Sequence, residues 1–100
     1  MTDQAILTIS VAAKLLGLHT RTLMLYEKVG LITPHRTTTN RRLYSISNLN
    51  ELQFIQYLTQ TEGINLRGVK WILEVFQVAK KEGLSLKQRL FPSFKLKSLL

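Results

Sequence analysis

The chain of 100 residues contains no cysteine, two prolines, two histidines and only six acidic residues. Without cysteine it can form neither disulfides nor thiolate metal sites, and it cannot use a cysteine nucleophile. His19 and His35 are too few for a histidine-based metal site, so we predict neither a metal nor another cofactor. The sequence also lacks paired catalytic acids, a histidine-centred constellation and a phosphate-binding loop. These absences argue against an enzyme.

Long apolar runs are missing as well. No run approaches the roughly 18 apolar residues of a membrane span, and the N-terminal segment carries Asp3 where a signal peptide carries basic residues. The sequence therefore predicts a cytoplasmic protein without a membrane span. Its apolar fraction of 45% is that of a globular chain, and the length suits one domain with a modest core.

Positive charge is what the sequence has in excess, with a net charge of +8. Residues 1–44 and residues 84–100 each carry +4, whereas residues 45–83 are neutral. A basic block can neutralise nucleic-acid phosphates and release the counterions condensed on them. It can equally be a solvated surface that keeps a small protein in solution. The charge alone leaves both interpretations open.

Glycines and polar capping residues divide the chain into helical segments. Four glycines each follow a stretch of helical periodicity, where a left-handed residue can end a helix without a clash: Gly17, Gly30, Gly63 and Gly83. His19, Ser45 and Asn65 are N-cap candidates at the starts, and histidine is the weakest of the three. The predicted helices span residues 10–16, 20–28, 46–60 and 66–81.

The segment between the second and third predicted helices, residues 31–44, favours extended structure. Pro34 prevents a helix, the threonines at 37–39 favour strands, and Asn40 tolerates positive φ at a turn. We predict a two-stranded hairpin with a basic tip.

The first two predicted helices are joined by residues 17–19 alone. A three-residue connection that contains glycine is typical of a helix-turn-helix, whose second helix enters the major groove of DNA. With the hairpin that follows, the order of elements predicts a mainly α winged helix-turn-helix, with two helices after a short β-hairpin wing.

Two segments carry a family pattern at this point. TLMLYEKVGLITPHR at residues 22–36 and NRRLYS at residues 40–45 resemble the MerR family of bacterial transcription regulators, whose pattern is TLR-x-Y-E-x-x-G-L-x-x-P-x-R followed by a wing exit R-x-Y-S. Within that family, the Gly-Leu-His turn and LTQTEGINLRGVK at residues 58–70 are most similar to the HspR heat-shock repressor subgroup. The resemblance covers about residues 8–76.

The resemblance implies base contacts from the start of the second helix and phosphate contacts from the wing. Arg21 has the reach for a guanine edge or a phosphate, and Thr20 is short enough for a close backbone contact. Arg42 matches the arginine of the wing exit and therefore ranks above Arg41. The candidate DNA-binding residues are Thr20, Arg21, Met24, Tyr26, Lys28, Arg36, Arg41, Arg42 and Tyr44.

Three of these candidates leave alternatives open. Tyr26 matches a family tyrosine that hydrogen-bonds a phosphate, with a partly buried core aromatic as the alternative. Tyr44 closes the wing-exit motif, with packing onto Leu49 as the alternative. Met24 stands where the family has arginine, so either the DNA site differs or contact with a thymine methyl group replaces the lost contact.

The last residues depart from the family. We expect residues 1–83 to form the DNA-binding domain and residues 84–100 a short, basic and apolar tail, which Pro92 makes unsuitable for the long dimerisation helix typical of MerR proteins. The tail could pack on the core, pair with a second protomer or lie on an anionic surface. Pairing in a homodimer is favoured, because two-fold symmetry lets one small domain bind two half-sites.

These features lead to one main hypothesis and two rivals. The main one is a non-enzymatic, sequence-specific regulator of transcription that binds double-stranded DNA on the nucleoid and acts as a repressor. Because 100 residues leave no room for a small-molecule domain, its signal is expected through a protein co-regulator, temperature or abundance. The rivals are an architectural or phage-type accessory factor that bends DNA, and an interaction or peripheral membrane protein that acts through residues 84–100.

Overall fold

The computed structural model describes residues 3–100 and has five helices and three short strands in that range. In chain order these are β1 (Leu7–Thr8), α1 (Ile9–Leu16), α2 (Thr20–Lys28), β2 (His35–Arg36), β3 (Arg42–Tyr44), α3 (Ile46–Gln60), α4 (Leu66–Lys81) and α5 (Lys87–Leu90). The predicted winged helix-turn-helix class is confirmed, and α2, α3 and α4 have their predicted bounds.

The three strands form one antiparallel sheet in the order β1-β3-β2, so the wing hairpin of β2 and β3 gains a third strand from the chain's beginning. β1 was not predicted, because two residues are too few for a visible alternation. It is followed at once by α1, which begins at Ile9, one residue before the predicted start. Thr8 both ends the strand and caps the helix, its Oγ1 accepting a hydrogen bond from the Val11 amide at 3.3 Å.

The helix-turn-helix connection is closed by backbone hydrogen bonds around Gly17. Gly17 adopts φ 70°, and the amide of Leu18 returns to the carbonyl of Ala13 at 2.9 Å. Gln56 of α3 donates its side-chain amide to the carbonyl of Leu16 at 2.9 Å. Since α1 and α2 also pack on each other, the turn is held from its own backbone and from α3.

Side-chain caps fix the starts of α3 and α4. Ser45 and Asn48 form a reciprocal capping box, and Asn65 accepts a hydrogen bond from the Gly68 amide at 2.8 Å. His19 occupies the N-cap position of α2, but its side chain makes no capping hydrogen bond. His19 is therefore a cap by position only.

The core is centred on α3. Its predicted stripe is buried at every third position, and Phe54 joins it, so that the helix is apolar on more than one side. The buried α3 residues of this stripe are Leu49, Leu52, Ile55 and Leu58. Leu23 of α2 and Val69 of α4 are fully buried in the same cluster.

The tail, residues 84–100, folds back onto α3. Phe91 and Phe94 place their rings 5.7 and 5.2 Å from that of Phe54 in edge-to-face geometry. Gln53 exchanges two hydrogen bonds with the backbone of Lys97, donating to its carbonyl at 2.7 Å and accepting from its amide at 3.0 Å. Of the three predicted placements of the tail, the structure favours packing on the core.

Within residues 3–100, no helix combines the length and the hydropathy that crossing a bilayer requires. The same part of the chain contains no group of three or more His, Cys, Asp or Glu side chains placed to hold a metal ion.

The tail contact predicts a stability difference between two neighbouring substitutions. Phe94 is 9% exposed, so Phe94→Ala should lower the free energy of unfolding by about 3 kcal/mol through lost burial and the cavity it leaves. Leu96 is 53% exposed, and Leu96→Ala should change it by less than about 0.5 kcal/mol. Urea denaturation of both variants measures this; equal effects would mean that the tail does not pack as described.

Candidate nucleic-acid interface

One face of α2 is exposed and carries most of the candidate contacts. Leu23 and Tyr26 point into the core, which leaves the positions between them to solvent. The exposed residues are Arg21, Met24, Leu25 and Lys28, at the helical spacing of one face. Thr20 is half-buried at the start of the helix. The face therefore offers two cations at its ends and two apolar side chains between them.

The apolar centre of this face includes a residue that the sequence reasoning missed. Leu25 is exposed beside Met24 although it is a large apolar side chain. Exposed apolar groups can contact the thymine methyl group in the major groove. The signal was present in the helical spacing, because Leu25 lies four positions after Arg21 and three before Lys28.

Glu27 joins α2 to both strands of the wing. Its Oε1 accepts a hydrogen bond from Nε of Arg42 at 2.6 Å, and its Oε2 accepts one from Nη2 of Arg36 at 2.9 Å. Arg36 and Arg42 are register partners across β2 and β3. We call Glu27, Arg36 and Arg42 the wing clasp.

The wing clasp lies partly shielded from solvent, with Glu27 21% and Arg42 25% exposed in their side chains. Burial alone would raise the pKa of the Glu27 carboxyl, but hydrogen bonds from Arg42 and Arg36 outweigh it and lower that pKa below its ordinary value of 4.5. Glu27 is thus a stable carboxylate at neutral pH. The sequence reasoning missed it because a lone acid beside basic residues carries no motif of its own.

The tip of the wing is a tight turn with a free cation. Asn40 adopts φ 64°, as its position in the sequence predicts, and its amide donates to the Thr37 carbonyl at 2.8 Å. The Arg41 amide donates to Oγ1 of Thr37 at 3.0 Å. Among residues 3–100 the Arg41 guanidinium makes no hydrogen bond or ion pair, whereas Arg36 uses both of its Nη groups and Arg42 uses its Nε. The Arg41 guanidinium is therefore the least constrained of the three in the wing, and the ranking of Arg42 above Arg41 as a DNA contact stays a prediction.

The two candidate tyrosines lie in the core. Tyr26 is buried in α2, and Tyr44 is fully buried at the end of β3. The Tyr44 hydroxyl has no hydrogen-bond partner in the described part of the chain, and its pKa is raised by burial and then by the charge of Glu27. Burial favours the packing alternative for both residues. A phosphate contact by Tyr26 stays a prediction, while the enclosed Tyr44 side chain is no part of the exposed face.

The sequence of the chain is similar to known proteins over most of its length. Residues 7–75 match the MerR HTH family regulatory protein. The chain is 47% identical over 73 residues to the heat shock protein HspR of Streptomyces coelicolor, which covers 73% of the chain and 48% of that protein.

Two other relatives are described as HTH-type transcriptional regulators. GlnR of Bacillus cereus is 35% identical over 65% of the chain and 50% of its own length. CueR of Escherichia coli O157:H7 is 31% identical over 83% of the chain and 62% of its own length. The chain spans about half the length of the first curated relatives it matches.

The wing clasp predicts a pH dependence of folding. A carboxyl whose pKa is lowered by folding stabilises the native state above its unfolded pKa, and this contribution is lost as the pH falls through the folded value. The free energy of unfolding should therefore fall more between about pH 6 and about pH 3 in the unmodified protein than in Glu27→Gln. Urea denaturation at both pH values measures the difference. Parallel losses in the two proteins would contradict an ionised, paired Glu27.

Proposed function

Because the chain belongs to the MerR family of HTH regulatory proteins, we propose that it is a non-enzymatic regulator of transcription that binds double-stranded DNA in a sequence-specific manner. The observation that carries this proposal is the exposed face of α2 beside a wing with a free arginine at its tip. In a winged helix-turn-helix these are the two elements that meet DNA.

The two elements have different chemistry and therefore different proposed roles. Arg21 can donate two hydrogen bonds to a guanine edge, and Met24 and Leu25 can contact thymine methyl groups, so α2 would discriminate between bases. Arg41 at the wing tip would bind phosphate, which gives affinity without sequence information. Lys28, at the other end of the α2 face, is a second phosphate candidate. Arg36 and Arg42 would assist from the wing clasp.

We also propose that the protein binds DNA as a homodimer. An apolar stripe on the outer side of α4, made of Trp71, Val75 and Val78, is exposed in the single chain. Such a stripe at helical spacing is a candidate contact for a second copy. A two-fold dimer would bind two half-sites and double the phosphate contacts of one small domain.

Repression, a protein co-regulator and residence on the nucleoid complete the proposal. The similarity to HspR covers 73% of the chain, and the resemblance of this chain to the heat-shock repressors supports repression as the direction of regulation. A co-regulator would bind the surfaces that DNA leaves free.

Mapping the genomic sites that the protein occupies tests repression. We expect sites at promoters, and raised transcription from those promoters after deletion of the gene for this protein. Sites without relation to promoters would favour an architectural DNA-bending factor.

Two arginines should separate base recognition from phosphate binding. After selection of bound DNA from a random pool, Arg21→Ala should relax the preference at one or two base positions and weaken binding to the preferred site by about 1–3 kcal/mol. Arg41→Ala should weaken binding to all sequences alike and reduce the slope of log affinity against log salt by about 1. Each variant is the control for the other. Identical effects on sequence preference and salt slope would contradict the assignment, and failure of the unmodified protein to select any motif would overturn the proposed function.

The dimer proposal predicts a change in mass for one surface substitution. Trp71→Glu places a charge in the apolar stripe and should convert a dimer into a monomer in sedimentation equilibrium. Ile6→Glu changes an equally exposed apolar residue on the segment that leads into β1 and should leave the dimer intact. A monomeric unmodified protein, with and without DNA, would contradict the homodimer.

A further inference from the structure

The wing clasp places an acid where DNA binding would disfavour one. Glu27 lies one residue before the end of α2 and next to the exposed Lys28. A carboxylate near phosphates is repelled by them, so its presence alone weakens DNA binding. The contacts of Glu27 indicate a structural role in the same surface that offsets this disadvantage.

Both oxygens of the carboxylate are used, and each holds a different strand. Oε1 holds Arg42 of β3 through Nε, and Oε2 holds Arg36 of β2 through Nη2. Because Arg36 and Arg42 are direct register partners, their like charges would repel each other across the hairpin without a counter-charge. Glu27 supplies that counter-charge from outside the sheet.

The network continues from the wing clasp to the wing tip. Nη1 of Arg36 donates to the carbonyl of Asn40 at 3.1 Å, and Asn40 is the turn residue with positive φ. A continuous path of hydrogen bonds therefore runs from α2 through Glu27 and Arg36 to the turn that carries Arg41. Nε is the only Arg42 donor that the clasp uses, so its two Nη groups have no hydrogen-bond partner within residues 3–100.

We propose that Glu27 is a positioning residue that fixes the wing relative to α2, acting through Arg36 and Arg42. The inference rests on the proposed DNA-binding function, and it gives the acid a role in that function. With the wing clasp closed, the contacts of α2 and of the wing tip are presented to DNA as one rigid surface. With it open, the wing must be ordered at the moment of binding, which lowers affinity.

Glu27→Gln tests the proposal, because a purely electrostatic effect and a positioning effect predict opposite changes in DNA affinity. The amide removes the repulsion with phosphates but cannot balance two guanidinium groups. We expect about tenfold weaker binding to the selected DNA site and a salt slope lower by about 1. If removal of the negative charge were the only effect, the variant would bind DNA more tightly and the slope of log affinity against log salt would not decrease. Glu51→Gln removes the same charge from an exposed position on α3, where the Glu51 carboxylate makes no hydrogen bond or ion pair in the described part of the chain, and it should bind as the unmodified protein does.

A second measurement needs no DNA. In the free protein, Glu27→Gln should speed amide hydrogen exchange at Thr37 and Arg41 in the wing by at least about tenfold, while the amides of α3 are unchanged. Glu27→Asp keeps the charge on a shorter side chain and should fall between the two proteins in both affinity and exchange. This graded recovery distinguishes positioning from general loss of stability.

The two measurements separate the two proposals. If the unmodified protein binds no DNA but the wing exchanges faster in Glu27→Gln, the proposed function is wrong and the structural role of the wing clasp stands. If the unmodified protein binds DNA and Glu27→Gln binds as tightly or more tightly, the positioning role is overturned. Unchanged wing exchange in Glu27→Gln overturns it as well.

Discussion

The burial of α3 is the constraint on which the rest of the structure depends. A helix that is apolar on more than one side must be covered by several elements at once, and here α1, α4 and the tail cover it. The helix also makes specific polar contacts with its neighbours: Gln56 donates a hydrogen bond to the helix-turn-helix connection, and Gln53 donates one to the tail. The positions of α1 and of the helix-turn-helix connection are thus set from the interior, and α2 can leave one face exposed to solvent.

Local signals explain why the helices could be predicted from the sequence. Ser45 and Asn65 cap helices with their own side chains, and glycines such as Gly17 take the left-handed conformation that ends one. These effects act within four residues, so a sequence displays them. The turn at Asn40 was predictable for the same reason.

The features that could not be predicted depend on residues distant in sequence. β1 exists only because residues 7–8 meet β3, and the tail's position depends on Gln53, which lies 44 residues before its partner Lys97. Glu27 is separated by 15 residues from Arg42. The family resemblance predicts a DNA-binding surface from residue identity alone, and a motif does not record that Arg36 and Arg42 share the carboxylate of Glu27.

The register of the wing hairpin limits how the wing can change in length. Successive side chains of a strand point to opposite faces, so a shift of one residue exchanges the faces. In β2 and β3 the pair Arg36 and Arg42 faces α2, while His35 and Leu43 pair at the neighbouring position. An insertion of one residue within either strand would turn an arginine away from Glu27, whereas two residues would restore the alternation. The strands of the wing can therefore lengthen without exchanging their faces only in steps of two residues.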